Sequence, residues 1–108
     1  MRQRALWSKR GGVPGIPDLF LAKPMGEYHG LYIEMKSVDH KPKKAVAQDW
    51  HLNIAHAPNG KPTTSYGVSS TQSEVMNTLS RNGYKCIVCF GYDDTIKTIT
   101  NYLMEKAQ

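Results

Sequence analysis

Glu34 and Lys36 stand two residues apart in Leu31-Tyr32-Ile33-Glu34-Met35-Lys36. The run is apolar and aromatic enough to read as a strand. On a strand, residues two apart point to the same face. A carboxylate and an ammonium on one face of such a run are costly to bury without a use. Asp18 follows Pro17 at the start of an earlier strand, Asp18 to Ala22. Between the two, Lys23-Pro24-Met25-Gly26-Glu27-Tyr28-His29-Gly30 reads as a hairpin connection. A hairpin lays Asp18 beside Glu34, so two carboxylates and one ammonium converge. Asp18 and Glu34 are hard oxygen ligands for Mg²⁺ or Mn²⁺, and the backbone carbonyl of Met35 is a further donor. A cation held there polarises a scissile phosphate and lowers the pKa of a bound water. Lys36 then positions or activates that water, or stabilises the charge developing on phosphate. The same residues also allow a plain reading, a cross-strand salt bridge of Lys36 with Asp18 or Glu34.

The remaining reactive side chains carry less. Cys86 and Cys89 have the C-x-x-C spacing of zinc or redox sites. Their surroundings, Tyr84-Lys85-Cys86-Ile87-Val88-Cys89-Phe90-Gly91, read as a strand, and positions three apart on a strand face opposite ways. The two thiols are expected to diverge and to act as small buried hydrophobes. His51 and His56 are five apart, not the i, i+4 pair of a helical zinc site. His56-Ala57-Pro58-Asn59-Gly60 suggests an H…N…H nuclease motif only faintly, because its flanking zinc ligands are missing.

The elements that must position Asp18, Glu34 and Lys36 follow from pattern. Gly11-Gly12 and Pro14-Gly15 break any helix that starts at Arg2. Strands are expected at Asp18–Ala22, Leu31–Lys36 and Lys85–Phe90. Ala45 to Ala55 is compatible with a helix burying Val46, Trp50 and Ile54. Ser69-Ser70-Thr71-Gln72 has the form of a capping box, with Ser69 as N-cap and Gln72 three residues on. The helix it opens turns Val75, Met76 and Leu79 inward and stops at Asn82-Gly83. A last helix opens at Asp93-Asp94 with Ile96, Ile99, Tyr102 and Leu103 on its buried stripe. A hairpin feeding a βαβ-type crossover gives a mixed sheet flanked by helices, an α/β fold.

Composition sets the limits. The chain has 108 residues, with 14 Lys+Arg against 9 Asp+Glu, a formal charge of +5. That is one ordinary globular domain rather than a disordered tail. No apolar run approaches the ~20 residues of a membrane span. Met1 to Arg10 is basic with no apolar stretch behind it, so no secretory signal is expected, and reduced cysteines fit an intracellular protein. A pI near 9.3 points to an anionic partner. The positive charge is uneven. Arg2, Arg4, Lys9 and Arg10 form a basic arm, and Lys41, Lys43, Lys44 and Lys61 lie between the second strand and the capped helix. These eight are the candidate nucleic-acid-binding residues.

Together, Gly12-Val13-Pro14-Gly15-Ile16-Pro17-Asp18-Leu19-Phe20-Leu21-Ala22, Tyr28-His29-Gly30-Leu31-Tyr32-Ile33-Glu34-Met35-Lys36-Ser37 and Ser69-Ser70-Thr71-Gln72 closely resemble the virus-type replication-repair nuclease (VRR-NUC) domain of the PD-(D/E)xK superfamily. The resemblance continues through Leu79, Gly83-Tyr84 and Val88-Cys89 to Tyr102-Leu103. It implies a restriction-endonuclease-like mixed sheet flanked by helices. It also implies a DNA endonuclease dependent on Mg²⁺ or Mn²⁺, selective for branched or Holliday-junction-like DNA. Asp18 and Glu34 match the metal-binding carboxylates and Lys36 the catalytic lysine. Gln72 matches a glutamine that lies at the active site in this family. Stand-alone phage members resemble junction resolvases in working as dimers, which implies a homodimer in the bacterial cytoplasm, encoded by a phage or prophage. The contrasting expectation is a non-catalytic DNA-binding or structural subunit that keeps the fold.

Two departures from the family pattern stand out. Many superfamily members carry a further Glu on a helix before the first strand, and residues 1–17 contain no acid. A site of fewer carboxylates, or a carboxylate from a partner subunit, is then expected. The second departure is the segment of about thirty residues between the E-x-K strand and the S-x-x-Q helix, an insertion at 38–68 within a single nuclease domain.

Overall fold

The computed structural model describes residues 14–38, 47–50 and 68–105. In chain order these form β1 (Leu19–Leu21), β2 (Leu31–Lys36), β3 (Gln48–Asp49), α1 (Ser70–Arg81), β4 (Lys85–Phe90) and α2 (Gly91–Leu103). The strands make one four-stranded sheet in the order β1-β2-β4-β3. β1 is antiparallel to β2, β2 runs parallel to β4, and β3 is antiparallel to β4. The chain is thus a small α/β protein built on a mixed sheet.

The near-continuous apolar runs of β2 and β4 are those of strands covered on both faces. Alternation sorts their side chains. Tyr32, Cys86, Val88 and Phe90 meet Met76 of α1, Trp50 and Val68 in one buried cluster, with Phe20 and Leu79 packed against it. Leu31, Ile33, Ile87 and Cys89 meet Tyr102 of α2 and Met25 in the other, with Ile99 at its margin. One helix therefore covers each face. Cys86 and Cys89 fall in opposite clusters, both free and buried, as strand alternation requires. Burial pushes the Cys86 thiol up to about 12, far from a reactive thiolate.

α1 begins and ends on the expected signals. Ser69 is its N-cap, with both bonds of the capping box present, and Asn82 is its C-cap. Its inward side is more polar than expected: Ser73, Met76 and Asn77 are buried, whereas Val75 is only half-buried. Asn77 Oδ1 accepts the indole N–H of Trp50 at 3.1 Å, which satisfies both buried groups.

Two expectations are corrected. The helix expected over Ala45–Ala55 is replaced at Gln48–Asp49 by a short strand on the edge of β4. Trp50, the next residue, is already helical and is buried in the cluster on the α1 face, so the expectation fails at Gln48–Asp49 and not at Trp50; residues 45, 46 and 51–55 lie outside the described residues. In α2 the buried residues are Thr95, Thr98 and Tyr102, with Ile99 half-buried, while Ile96 and Leu103 are 43% and 47% exposed. The helix leaves β4 with no intervening loop, and that fixes its rotation on the sheet. The two threonines bury without loss because each hydroxyl is bonded. Thr95 Oγ1 donates to the Gly91 carbonyl at 2.9 Å, and Cys89 Sγ donates to Thr98 Oγ1 at 3.3 Å.

Candidate active site

The site forms on the α1 face of the sheet, toward the carboxyl end of β2. Leu19 pairs with Ile33, so continuing the ladder one step places Asp18 opposite Glu34. The strand pairing stops there, and the next outward N–H of β2 is that of Met35. It donates to Asp18 Oδ2 at 2.8 Å, so the Asp18 carboxylate takes over where the β1 backbone ends. This bond fixes the acid against β2.

Glu34 is 4% exposed, a buried carboxylate in the middle of the sheet. Its Oε2 lies 3.4 Å from Lys36 Nζ and accepts from Gln72 Nε2 at 2.9 Å. Lys36 Nζ in turn donates to Gln72 Oε1 at 3.3 Å. Lys36, Glu34 and Gln72 thus form a closed triangle, two corners from one strand face and the third from the first turn of α1. Burial holds the Glu34 carboxyl above the ordinary carboxylate range, and the Asp18 charge raises it further. Lys36 and the bonds from Lys36 and Gln72 act in the opposite sense. The repulsion between the two acids is the electrostatic sign of their closeness.

Gln72 reaches the triangle because it is also the third residue of the capping box. Ser69 N–H donates to Gln72 Oε1 at 2.9 Å, and the Gln72 backbone N–H donates to Ser69 Oγ at 3.1 Å. The same amide therefore closes the helix end and contacts both charged groups of β2.

The structure brings together Asp18, Glu34, the Met35 peptide, Lys36 and Gln72. The eight basic residues Arg2, Arg4, Lys9, Arg10, Lys41, Lys43, Lys44 and Lys61 lie outside the described residues, as do His51 and His56. One contributor escapes a reading of the sequence. Gly15 serves as more than a helix breaker: it sits at φ 86°, and a Cβ there would come within 2.9 Å of the Thr71 carbonyl oxygen. The turn that leads to Asp18 is thereby pressed onto the first turn of α1. Ser69 supports Gln72 from below. The capping pattern marks Ser69 in the sequence, but nothing local marks the contact of Gly15 with Thr71.

No family model matches the chain, and no curated protein matches it. A solved structure called a VRR_NUC domain protein does match, with a TM-score of 0.60 and 25% identity over 97% of this chain. The chain shares its fold with a VRR_NUC domain protein. It spans 66% of the length of that protein. The likeness to the VRR-NUC domain seen in the motifs thus extends to the backbone that carries them. Among the described residues, no helix is long and apolar enough to cross a membrane.

Proposed function

We propose that this chain is a metal-dependent DNA endonuclease of the PD-(D/E)xK type. On this reading it cuts phosphodiester bonds in branched or duplex DNA and works as a homodimer. The observation that carries the reading is the convergence of Asp18, Glu34, Lys36 and Gln72. A buried Glu34 that also feels the charge of a second acid is an expensive arrangement for a salt bridge alone. A divalent cation accounts for both acids.

The donor set fits such a cation. Among the described residues no third His, Cys, Asp or Glu joins Asp18 and Glu34 in a metal-holding group. Mg²⁺ is commonly held by one or two carboxylates, with waters and substrate phosphate completing its shell. Asp18, Glu34 and the Met35 carbonyl would hold it. When bound, the cation supplies Lewis-acid polarisation of the phosphate and a water of lowered pKa.

The remaining work belongs to the chain. Lys36 places a positive charge next to the acids, where it stabilises the negative charge that accumulates on phosphate during attack. Glu34 and Gln72 hold that ammonium at a defined point, which limits the reorganisation needed as charge develops. The Met35 N–H orients Asp18 in the same way.

The test is a cleavage panel of single-stranded, duplex, flap and four-way DNA with Mg²⁺, Mn²⁺ or EDTA. Nicking of four-way or flap DNA in preference to the others, lost in EDTA, is the expected result. Binding to DNA without cleavage of any substrate would favour the non-catalytic subunit instead.

A further inference from the structure

We infer that Ser69 is a positioning residue for the nuclease site, holding the Gln72 amide in the one orientation that serves Glu34 and Lys36. The inference rests on the proposed function and adds a residue to it. Gln72 Oε1 accepts from two donors, the Ser69 N–H at 2.9 Å and Lys36 Nζ at 3.3 Å, while its Nε2 donates to Glu34 Oε2 at 2.9 Å. Turning the amide over would set its NH₂ against two donors and its oxygen against a carboxylate. The orientation is therefore imposed by partners on both sides. Two of them, Glu34 and Lys36, are the groups that must meet substrate, so their hold on Gln72 changes when DNA arrives. Ser69 is the partner that stays.

Ser69 can do this because of its own cap geometry. Its backbone is extended, with φ −71° and ψ 164°, which aims its N–H at the side chain three residues on. Its hydroxyl accepts the Gln72 backbone N–H at 3.1 Å and locks that geometry. Removing the hydroxyl leaves the N–H in place but frees its direction. Gln72 then gains the freedom to leave Glu34, and Lys36 loses one of its two anchors. Small misplacements of catalytic groups are costly in rate.

The experiment compares the full chain with Ser69→Ala, Ser69→Gly and Ser69→Thr. Three quantities are read: thermal melting, kcat and KM for DNA cleavage with Mn²⁺, and the Gln72 side-chain amide resonances in metal-free protein. Thr restores the hydroxyl and should match the wild type in all three. Gly is accepted at N-caps nearly as well as Ser, so that variant folds even if Ala does not. Ala and Gly should move the Gln72 amide resonances toward those of a free side chain. They should also lower kcat about tenfold with KM nearly unchanged. Unmoved resonances, or wild-type kcat in the Gly variant, would overturn the inference and leave Ser69 a helix cap only. A wild type that cuts no DNA would overturn the nuclease reading, while the amide resonances would still decide whether Ser69 orients Gln72.

Discussion

Gln72 joins a structural duty to a chemical one, and the two can be separated. Glutamate suits the third position of a capping box as well as glutamine does. Gln72→Glu should therefore keep the cap of α1, at a cost of about 1–3 kcal/mol from the lost bond to the buried Glu34. It removes the donor to Glu34 Oε2, and it places a further carboxylate beside an acid that burial and Asp18 already hold above the ordinary range. Cleavage should fall roughly 100-fold while the protein still melts cooperatively. An unchanged rate would mean that Gln72 only caps the helix. At this scale the site was largely legible in the sequence. Glu34 and Lys36 share a strand face by period two, and Ser69 and Gln72 are three apart in a capping box. Both are local rules, and both residue pairs sit where those rules put them. Trp50 and Asn77 were not legible as a pair, because the bond between them spans 27 residues of chain and no local pattern reports it.

Elements bring Asp18 and Gln72 to Glu34 from opposite sides, and the turn before β1 is where they are tied together. Gly15 adopts φ 86°, and a side chain there would meet the Thr71 carbonyl oxygen at 2.9 Å and its carbonyl carbon at 3.0 Å. Gly26 also has a positive φ, of 56°, but a Cβ there meets only the flexible Glu105 side chain, at 3.1 Å. The left-handed backbone alone costs an L-residue about 1–2 kcal/mol. Gly26→Ala should lose about that much in chemical denaturation. Gly15→Ala should lose about 1–3 kcal/mol more, because backbone must move, and cleavage should weaken as Asp18 shifts. Equal losses at the two glycines would contradict the tie. The strands at Leu31–Lys36 and Lys85–Phe90 and the capped helix could be read from the sequence because their apolar patterns and end signals agree. The rotation of α2 could not. Its isoleucine spacing suggested one face, but Thr95 and Thr98 bury instead because each finds a hydrogen bond within reach. β3 was hidden for a related reason. Two residues are too few to show a period, and only the free edge of β4 makes them a strand.

At the scale of the molecule, the parallel pair β2–β4 sets where chemistry can occur. Glu34 and Lys36 lie toward the carboxyl end of β2, the end at which open α/β sheets commonly receive ligands. The formal charge of +5 first indicated only an anionic partner. With Asp18 and Glu34 drawn together, two of the nine acids belong to the site, and a bound cation there would make this face more positive than the sum, as the proposed binding of DNA requires. The fold is shared with a VRR_NUC domain protein over 97% of this chain. The central claim is that three side chains carry metal-dependent cutting. It is tested most directly by DNA cleavage with Mn²⁺ by the wild type and by Asp18→Ala, Glu34→Ala and Lys36→Ala, alongside their thermal melts. The account predicts that the wild type nicks DNA and stops in EDTA, and that each variant melts cooperatively while cutting at least about 100-fold more slowly. Full activity in Asp18→Ala would contradict it.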